Sequence, residues 1–336
     1  MENLKPTLPE VTSAYPPETA GRLMVTNVPV VSPDDTIKKI EEMLLTKVKE
    51  FETINYIYAT HKSGRLAGVI SIKDILRQPK NRLVSEVMVK EPVVAHPHTD
   101  QERVAYLALK NNIKVIPIVD KEDIFLGVVP SDVILTVAYQ EASEDIFRLG
   151  GVGNLHGHKL DDTMKLSIAA LLKHRLPWLL IGLLGGLLAA KIIGLFEKTL
   201  EANLILAAFI PLIVYMGGAT LAQTQAFLIR DLAINPNLKF NKYFLKQLTV
   251  ISSIGLITST LVFAFGFIFL NDWLIIEILS TALFAAILSS IITGLIVPYI
   301  FYSLKMDPAN ASGPVATILQ DIMGVTLYFL IAALLL

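Results

Sequence analysis

The sequence predicts a multidomain membrane protein: an α+β tandem followed by an all-α transmembrane domain of five helices. Three observations carry that reading. The 336 residues are 53% hydrophobic and 18% charged, but most of the charge sits before about residue 165, and from about residue 174 the chain is mostly Leu, Ile, Ala, Val, Phe and Gly. A strand, helix, strand, strand, helix pattern occurs twice in the first part, about 65 residues apart. Five apolar stretches, each long enough to cross a bilayer, follow it.

Composition excludes several functions. A net charge of −1 offers no basic footprint for nucleic acid. The absence of cysteine removes disulfides, zinc ribbons and thiol catalysis. Residues 1–20 (MENLKPTLPEVTSAYPPETA) are polar and Pro-rich, with no apolar signal-peptide core. They read as a loose arm, with order beginning at Gly21 and the α+β half in the cytoplasm. His156 and His158 sit in a Gly-rich turn without a third ligand nearby, so a linker is the better reading.

The first copy of the repeat occupies 21–85 and the second 86–150. Each starts on "PVV". Cap residues in Asp34–Ile37 and Thr99–Glu102 precede the first helix of each copy. Tyr56 and Tyr58, and Val115, Pro117 and Val119, alternate as in half-buried strands. The tandem resembles a pair of cystathionine-β-synthase (CBS) domains, through Gly68-Val-Ile-Ser-Ile-Lys-Asp74 and Gly127-Val-Val-Pro-Ser-Asp132. That resemblance implies a site for ATP or another adenine nucleotide at Ser71 and Asp74; the second copy departs, with Pro130 in place of the hydroxyl and its Asp one residue early. A helix N-terminal carboxylate is the alternative role of Asp74. The half is also rich in scattered acids. A subset meeting at an interface would repel unless a divalent cation bridged it, which would make this half a cation sensor. Asp120, Glu144 and Asp145 are the candidates. Residues 151–175 form a linker and a connecting helix, amphipathic over 159–175, that couples the two halves.

The membrane domain, 176–336, has spans at about 176–196, 204–226, 246–270, 275–304 and 312–335, the fourth with a kink expected at Pro298. Lys165, Lys173 and Arg175, then Arg230, Lys239, Lys242 and Lys246, then Lys305, mark alternate loops. They place the N-terminus and CBS pair in the cytoplasm and the C-terminus outside, in the plasma membrane. An odd number of spans rules out a simple inverted repeat within the chain, so symmetry would have to come from a second subunit. Gly217 and Gly218 permit close helix approach, while Thr220, Gln223, Thr224 and Gln225 give the second span a polar face. The last span carries Asp321 at middle depth, ~21 Å along a helix from Asp307. Facing lipid there would cost at least ~2.5 kcal/mol, so the carboxylate turns to a bundle interior or a wet path. Its other role is structural, bonded to a neighbouring helix. Asp307, before Pro308, doubles as ordinary cap chemistry. Neutral walls with one carboxylate per subunit suit a hydrated Mg²⁺ ion.

From about residue 22 the chain resembles the MgtE family of magnesium channels and transporters. The residues that carry it are the CBS pair, Glu144-Asp145-Ile146, Arg175-Leu-Pro-Trp178, Pro211–Ala233 with its Gly-Gly, Asp307-Pro-Ala-Asn-Ala-Ser-Gly-Pro314 and Gln320-Asp321-Ile-Met-Gly324. The resemblance implies a homodimeric pore with Asp321 on the ion and Asp307 as a second metal candidate, Gly217, Gly218, Thr220, Gln223, Asn310, Ser312 and Gly313 expected in its lining, and acidic sites around the CBS pair that bind Mg²⁺ to hold it shut. The family usually has an acidic helical domain before the CBS pair, and here only the arm stands there, so part of the sensor is expected to be missing. Ala219 and Ala222 stand where the family has Asn. An ion-coupled (Na⁺ or H⁺) divalent-cation carrier and a non-transport CBS-regulated scaffold are the alternatives. An enzyme fails on inventory: there is no HExxH, all six His precede the first expected span, and no second membrane carboxylate opposes Asp321.

Overall fold

The computed structural model describes residues 14–152, 164, 166–235, 238–270, 272–306, 308–311 and 313–336. The chain forms two compact units that divide between Glu141 and Ala142.

In the first unit, copy one comprises α1 (Ala20–Leu23), β1 (Val30–Val31), α2 (Ile37–Lys47), β2 (Tyr56–Thr60), β3 (Leu66–Ser71), α3 (Ile72–Ile75) and α4 (Val84–Val87). Copy two comprises α5 (Gln101–Asn111), β4 (Ile116–Val119), β5 (Phe125–Val129) and α6 (Ser131–Leu149), whose end lies in the second unit. β1 runs parallel to β2, and β2 antiparallel to β3. Copy two repeats this with a parallel Ala95–Ile118 bridge beside the antiparallel β4–β5 pair. The Thr36 hydroxyl accepts the Lys39 N–H and starts α2; the Asp100 carboxylate accepts the Glu102 N–H and starts α5. Asn112, in the left-handed region, ends α5.

Two expectations need correction. The strands are not half-buried: Ile57, Tyr58 and Ala59 are all buried, as is every residue of β4. Helices cover one face of each sheet, and the other faces meet in a shared cluster of Val28, Tyr58, Val115 and Val128. The Tyr58 ring stacks on Phe125 there, with centroids 4.9 Å apart. Nor does order begin at Gly21. Tyr15, Ala20 and Met24 belong to the core of copy two. The Ala20 N–H donates to Thr99 O at 2.8 Å, the Gln101 N–H donates to Glu18 O at 3.0 Å, and Val25 bridges Val128. Ala20 and Met24, four apart, share one apolar face, and copy two supplies its partner surface.

Among the described residues the second unit holds five helices long and apolar enough to cross a membrane: α7 (Ile168–Gly194), α9 (Ile205–Ile234), α10 (Phe240–Phe269), α11 (Trp273–Ile291) with its continuation to Ser303, and α13 (Pro314–Leu335). A short α8 (Glu197–Ala202) links the first two. The helix centrally buried is α11, packed against α9, α10 and α13 around Leu279, Leu283, Ile287 and Phe329. No break separates a connecting helix from the first span. Ser167 caps α7 by accepting the Ala170 N–H at 3.2 Å, and the helix continues to Gly194 with Pro177 inside it. Lys173, His174 and Arg175 lie between Leu172 and Leu176 as one more helical turn and do not stop it. His174 is therefore within this helix, not before it. Residues 159–163 and Lys165 of the expected connecting helix, together with His156 and His158, lie outside the described residues.

The irregularity expected at Pro298 falls just before it, as a π turn over Ile292–Ile296, followed by α12 (Val297–Ser303). In a regular helix the proline ring would strike the carbonyl four residues back, that of Gly294. Widening the turn, with the Val297 N–H donating to Ile292 O, accommodates the misfit. A 3₁₀ turn (Pro308–Ala311) and Gly313, at φ +74°, lead into α13.

Candidate functional site

Pro314 opens α13, where a missing N–H costs nothing. Asp321 lies seven residues from Pro314 and fourteen from Leu335, ~10 Å and ~21 Å along the axis. It is therefore nearer the start of the span than the middle depth expected, because the helix begins only at Pro314.

Consecutive helical residues point ~100° apart, so Gln320 and Asp321 cannot share a face. Gln320 takes the interior and is buried. Its Nε2 donates to Ala286 O at 3.0 Å and to Ser289 Oγ at 2.9 Å, and its Oε1 accepts from Thr293 Oγ1 at 2.7 Å. Asp321 is half-buried. It makes no hydrogen bond or ion pair among the described residues, so the structural role of tying α13 to its neighbour falls to Gln320.

The polar residues of α9 split in the same way. Gly217 is buried because a Cβ there would stand 2.7 Å from Gln320 Nε2. Thr220 is buried, and its hydroxyl donates to Met216 O at 2.8 Å. Both turn into the bundle rather than to an open path. Gly218 and Gln223 are on the outer side: a Cβ at Gly218 would meet nothing, and Gln223 is exposed. Thr317, one turn before Asp321, is exposed too. Asp307 and Ser312 lie outside the described residues, as does the side chain of Asn310.

The start of α13 meets the end of α6. A Cβ on Gly313 would lie 2.7 Å from Arg148 O, and one on Gly151, at φ +67°, would strike the Pro314 ring. Two glycines with positive φ thus let backbone approach closely here. Glu144 pairs with Arg148 one turn away. Burial pushes the Asp145 carboxyl up, Arg148 pulls against it, and Glu144 adds to the rise. A divalent cation would offset the burial and the Glu144 repulsion together.

Asp120 is committed locally: its Oδ1 accepts from the Glu122 and Ile124 N–H groups at 3.0 and 2.8 Å, shaping the β4–β5 turn. At the start of α3, Ser71 Oγ donates to Asp74 Oδ2 at 2.6 Å and accepts the Asp74 N–H at 3.1 Å. Asp74 is exposed, and its second oxygen has no partner among the described residues. Among the described residues no group of three or more His, Asp or Glu stands ready to hold a metal.

The part of the site that sequence reasoning missed is Gln320. Its signal was available: two adjacent polar residues in an apolar helix of 22 must face different surroundings.

A family model for divalent cation transporters, MgtE, matches residues 210–331, and the CBS domain model matches 20–81 and 84–138. The chain is 31% identical over 320 residues to the magnesium transporter MgtE of Bacillus subtilis, spanning 95% of this chain and 70% of that one. It is 32% identical over 332 residues to the magnesium transporter MgtE of Thermus thermophilus, spanning 97% and 72%. An inosine-5′-monophosphate dehydrogenase of Methanocaldococcus jannaschii is 27% identical over 128 residues, only 38% of this chain. Among solved structures, the cytosolic domain of the Mg²⁺ channel MgtE in complex with ATP is similar at 34% identity and TM-score 0.37, covering 38% of this chain and about half (52%) of that one.

Proposed function

The chain belongs to the MgtE family of magnesium transporters, and from that premise we propose that it forms a homodimeric Mg²⁺ pore gated by its CBS pair. The N-terminus and the CBS pair lie in the cytoplasm and the C-terminus outside.

The observation that carries this reading is the half-buried, unpartnered Asp321 beside an inward-locked Gln320. A lone carboxylate inside a span needs water, a cation or both. A second copy across a two-fold axis would bring a second Asp321 and a charge of −2. Mg²⁺ gives up its water reluctantly and binds through one or two carboxylates. Exposed Thr317 and Gln223, with partly exposed Gly218, supply neutral, wettable wall, with Asp307, Asn310, Ser312 and Gly313 at the mouth. Gly217 and Thr220 support the wall from behind.

Gating runs through the Arg148–Gly151 segment against Gly313 and Pro314. Glu144 and Asp145 bind regulatory Mg²⁺; Asp120, already bonded twice, contributes less. An adenine nucleotide docks on Ser71 and Asp74.

The test is Mg²⁺ uptake into proteoliposomes with internal Mg²⁺ varied and no Na⁺ or H⁺ gradient. Asp321→Asn abolishes uptake, and low internal Mg²⁺ raises it in the wild type. Wild-type flux through Asp321→Asn refutes the pore, flux that requires a gradient makes the protein a coupled carrier, and flux blind to internal Mg²⁺ refutes the gate.

A further inference from the structure

Three helices are tied together at one level of the membrane unit, and the knot is next door to the carboxylate. From α9, Gln225 Nε2 donates to the Thr293 carbonyl at 3.3 Å. The Thr293 hydroxyl, in the π turn, donates to Gln320 Oε1 on α13. Gln320 Nε2 then reaches back to Ala286 O and Ser289 Oγ on α11. Three of the four hydrogen bonds open to a glutamine amide are made. Glycine at 217 leaves room for this amide, since a Cβ would lie 2.7 Å from its nitrogen.

Such a latch does more than hold helices together. It fixes the rotation of α13 about its own axis at the residue before Asp321. A turn of α13 by even a fraction of the ~100° step would break all three bonds. We propose that Gln320 is a positioning residue for Asp321, one that holds the carboxylate at a set direction and so sets discrimination between divalent cations of different size. The inference rests on the pore reading of Asp321. Mg²⁺ demands near-octahedral geometry, whereas Ca²⁺ tolerates variable coordination at longer distances. A carboxylate held at one position favours the first; a carboxylate free to swing admits the second.

Gln320→Met tests this without stranding a buried donor. Ser289 Oγ keeps its own bond to Ala286 O at 2.7 Å, and the Thr293 hydroxyl, released from Gln320, has Ser290 O to turn to, 3.5 Å away. Methionine is flexible enough to fill the space. In proteoliposomes the half-saturating Mg²⁺ concentration rises about fivefold, the scale of one lost hydrogen bond. The maximal rate falls by less than that, and Ca²⁺ flux relative to Mg²⁺ rises. Gly217→Ala, which crowds the same amide, shifts both quantities the same way. Added to Gln320→Met it produces no further change, because the two share one interaction. A merely structural role would lower the amount of folded protein and leave the Mg²⁺:Ca²⁺ ratio alone.

Wild-type selectivity in both single variants overturns the inference, as does additivity in the double variant. Asp321→Asn in the same vesicles separates the two levels. If that variant still conducts, the pore reading falls. If it is silent while both other variants select like the wild type, the pore reading stands and the positioning role is refuted.

Discussion

Replacing Gln225 by leucine should destabilise the membrane unit by an amount the π turn lets us work out. Within Ile292–Ile296 the Val297 N–H goes to Ile292 O, so it does not serve Thr293. The next N–H that could reach the Thr293 carbonyl belongs to residue 298, which is proline and has none. The carbonyl is thus left over by the backbone, and Gln225 Nε2 satisfies it at 3.3 Å. Orphaning a buried acceptor costs about 1–3 kcal/mol, and interhelical hydrogen bonds inside membranes average about 0.6 with a ceiling near 1.7. The long distance argues for the middle, about 1–1.5 kcal/mol. For a unit of this size that is a fall of about 2–6 °C in midpoint. The assay is thermal unfolding of the purified full chain in detergent, with Gln223→Leu as control, because Gln223 is on the same helix but exposed. If Gln225→Leu melts with the wild type, the carbonyl has another partner and the account of the π turn is wrong.

Three further outcomes follow from the first unit. Tyr58 is buried with its hydroxyl unpartnered among the described residues, and Tyr58→Phe, which keeps the stack on Phe125, should raise the melting midpoint, by about 1 kcal/mol in stability; an unchanged or lower midpoint contradicts this. Gly127→Ala places a Cβ 2.6 Å from Val25 O and should cost about 1–3 kcal/mol by forcing the Val25–Val128 bridge apart, whereas the control Gly186→Ala, inside α7 of the second unit with open space around it, should not lower the midpoint. For Asp35, burial raises the carboxyl, but the bonds from Lys39 Nζ and the Ser32 N–H outweigh it and leave it below the usual value. Its contribution is therefore complete above about pH 4 and lost as pH falls through the depressed folded value. Asp35→Asn should lower the midpoint at neutral pH and converge with the wild type in acid; a deficit that persists in acid refutes the assignment.

Much of the architecture could be read from the residues. The duplicated "PVV" starts and the Gly68 and Gly127 signatures announce the tandem, and five apolar runs announce five long helices, because bilayer thickness imposes a length that soluble helices seldom keep. What stayed hidden depends on neighbours distant in sequence. Tyr58 alternates like a half-exposed strand residue, and only the second copy explains why both faces of β2 are covered. Leu171 and Leu172 look like one side of a separate amphipathic helix, yet they are the first turns of α7. At the candidate site, the carboxylate stands out on charge alone. The neighbouring amide announces only that it must face other surroundings than Asp321, and carries no sign of which three groups will meet it.

The opening stretch of the first unit has a consequence of its own. Residues near Tyr15 to Val25 complete the core of copy two before the chain turns back to build copy one. The tandem is thus closed on itself like a clasp, its first strand of chain fastened to its last hairpin. Cutting the connection near Lys90 would leave both pieces engaged, and neither copy could be excised whole. A displacement of one copy is then borne by the pair as a single body.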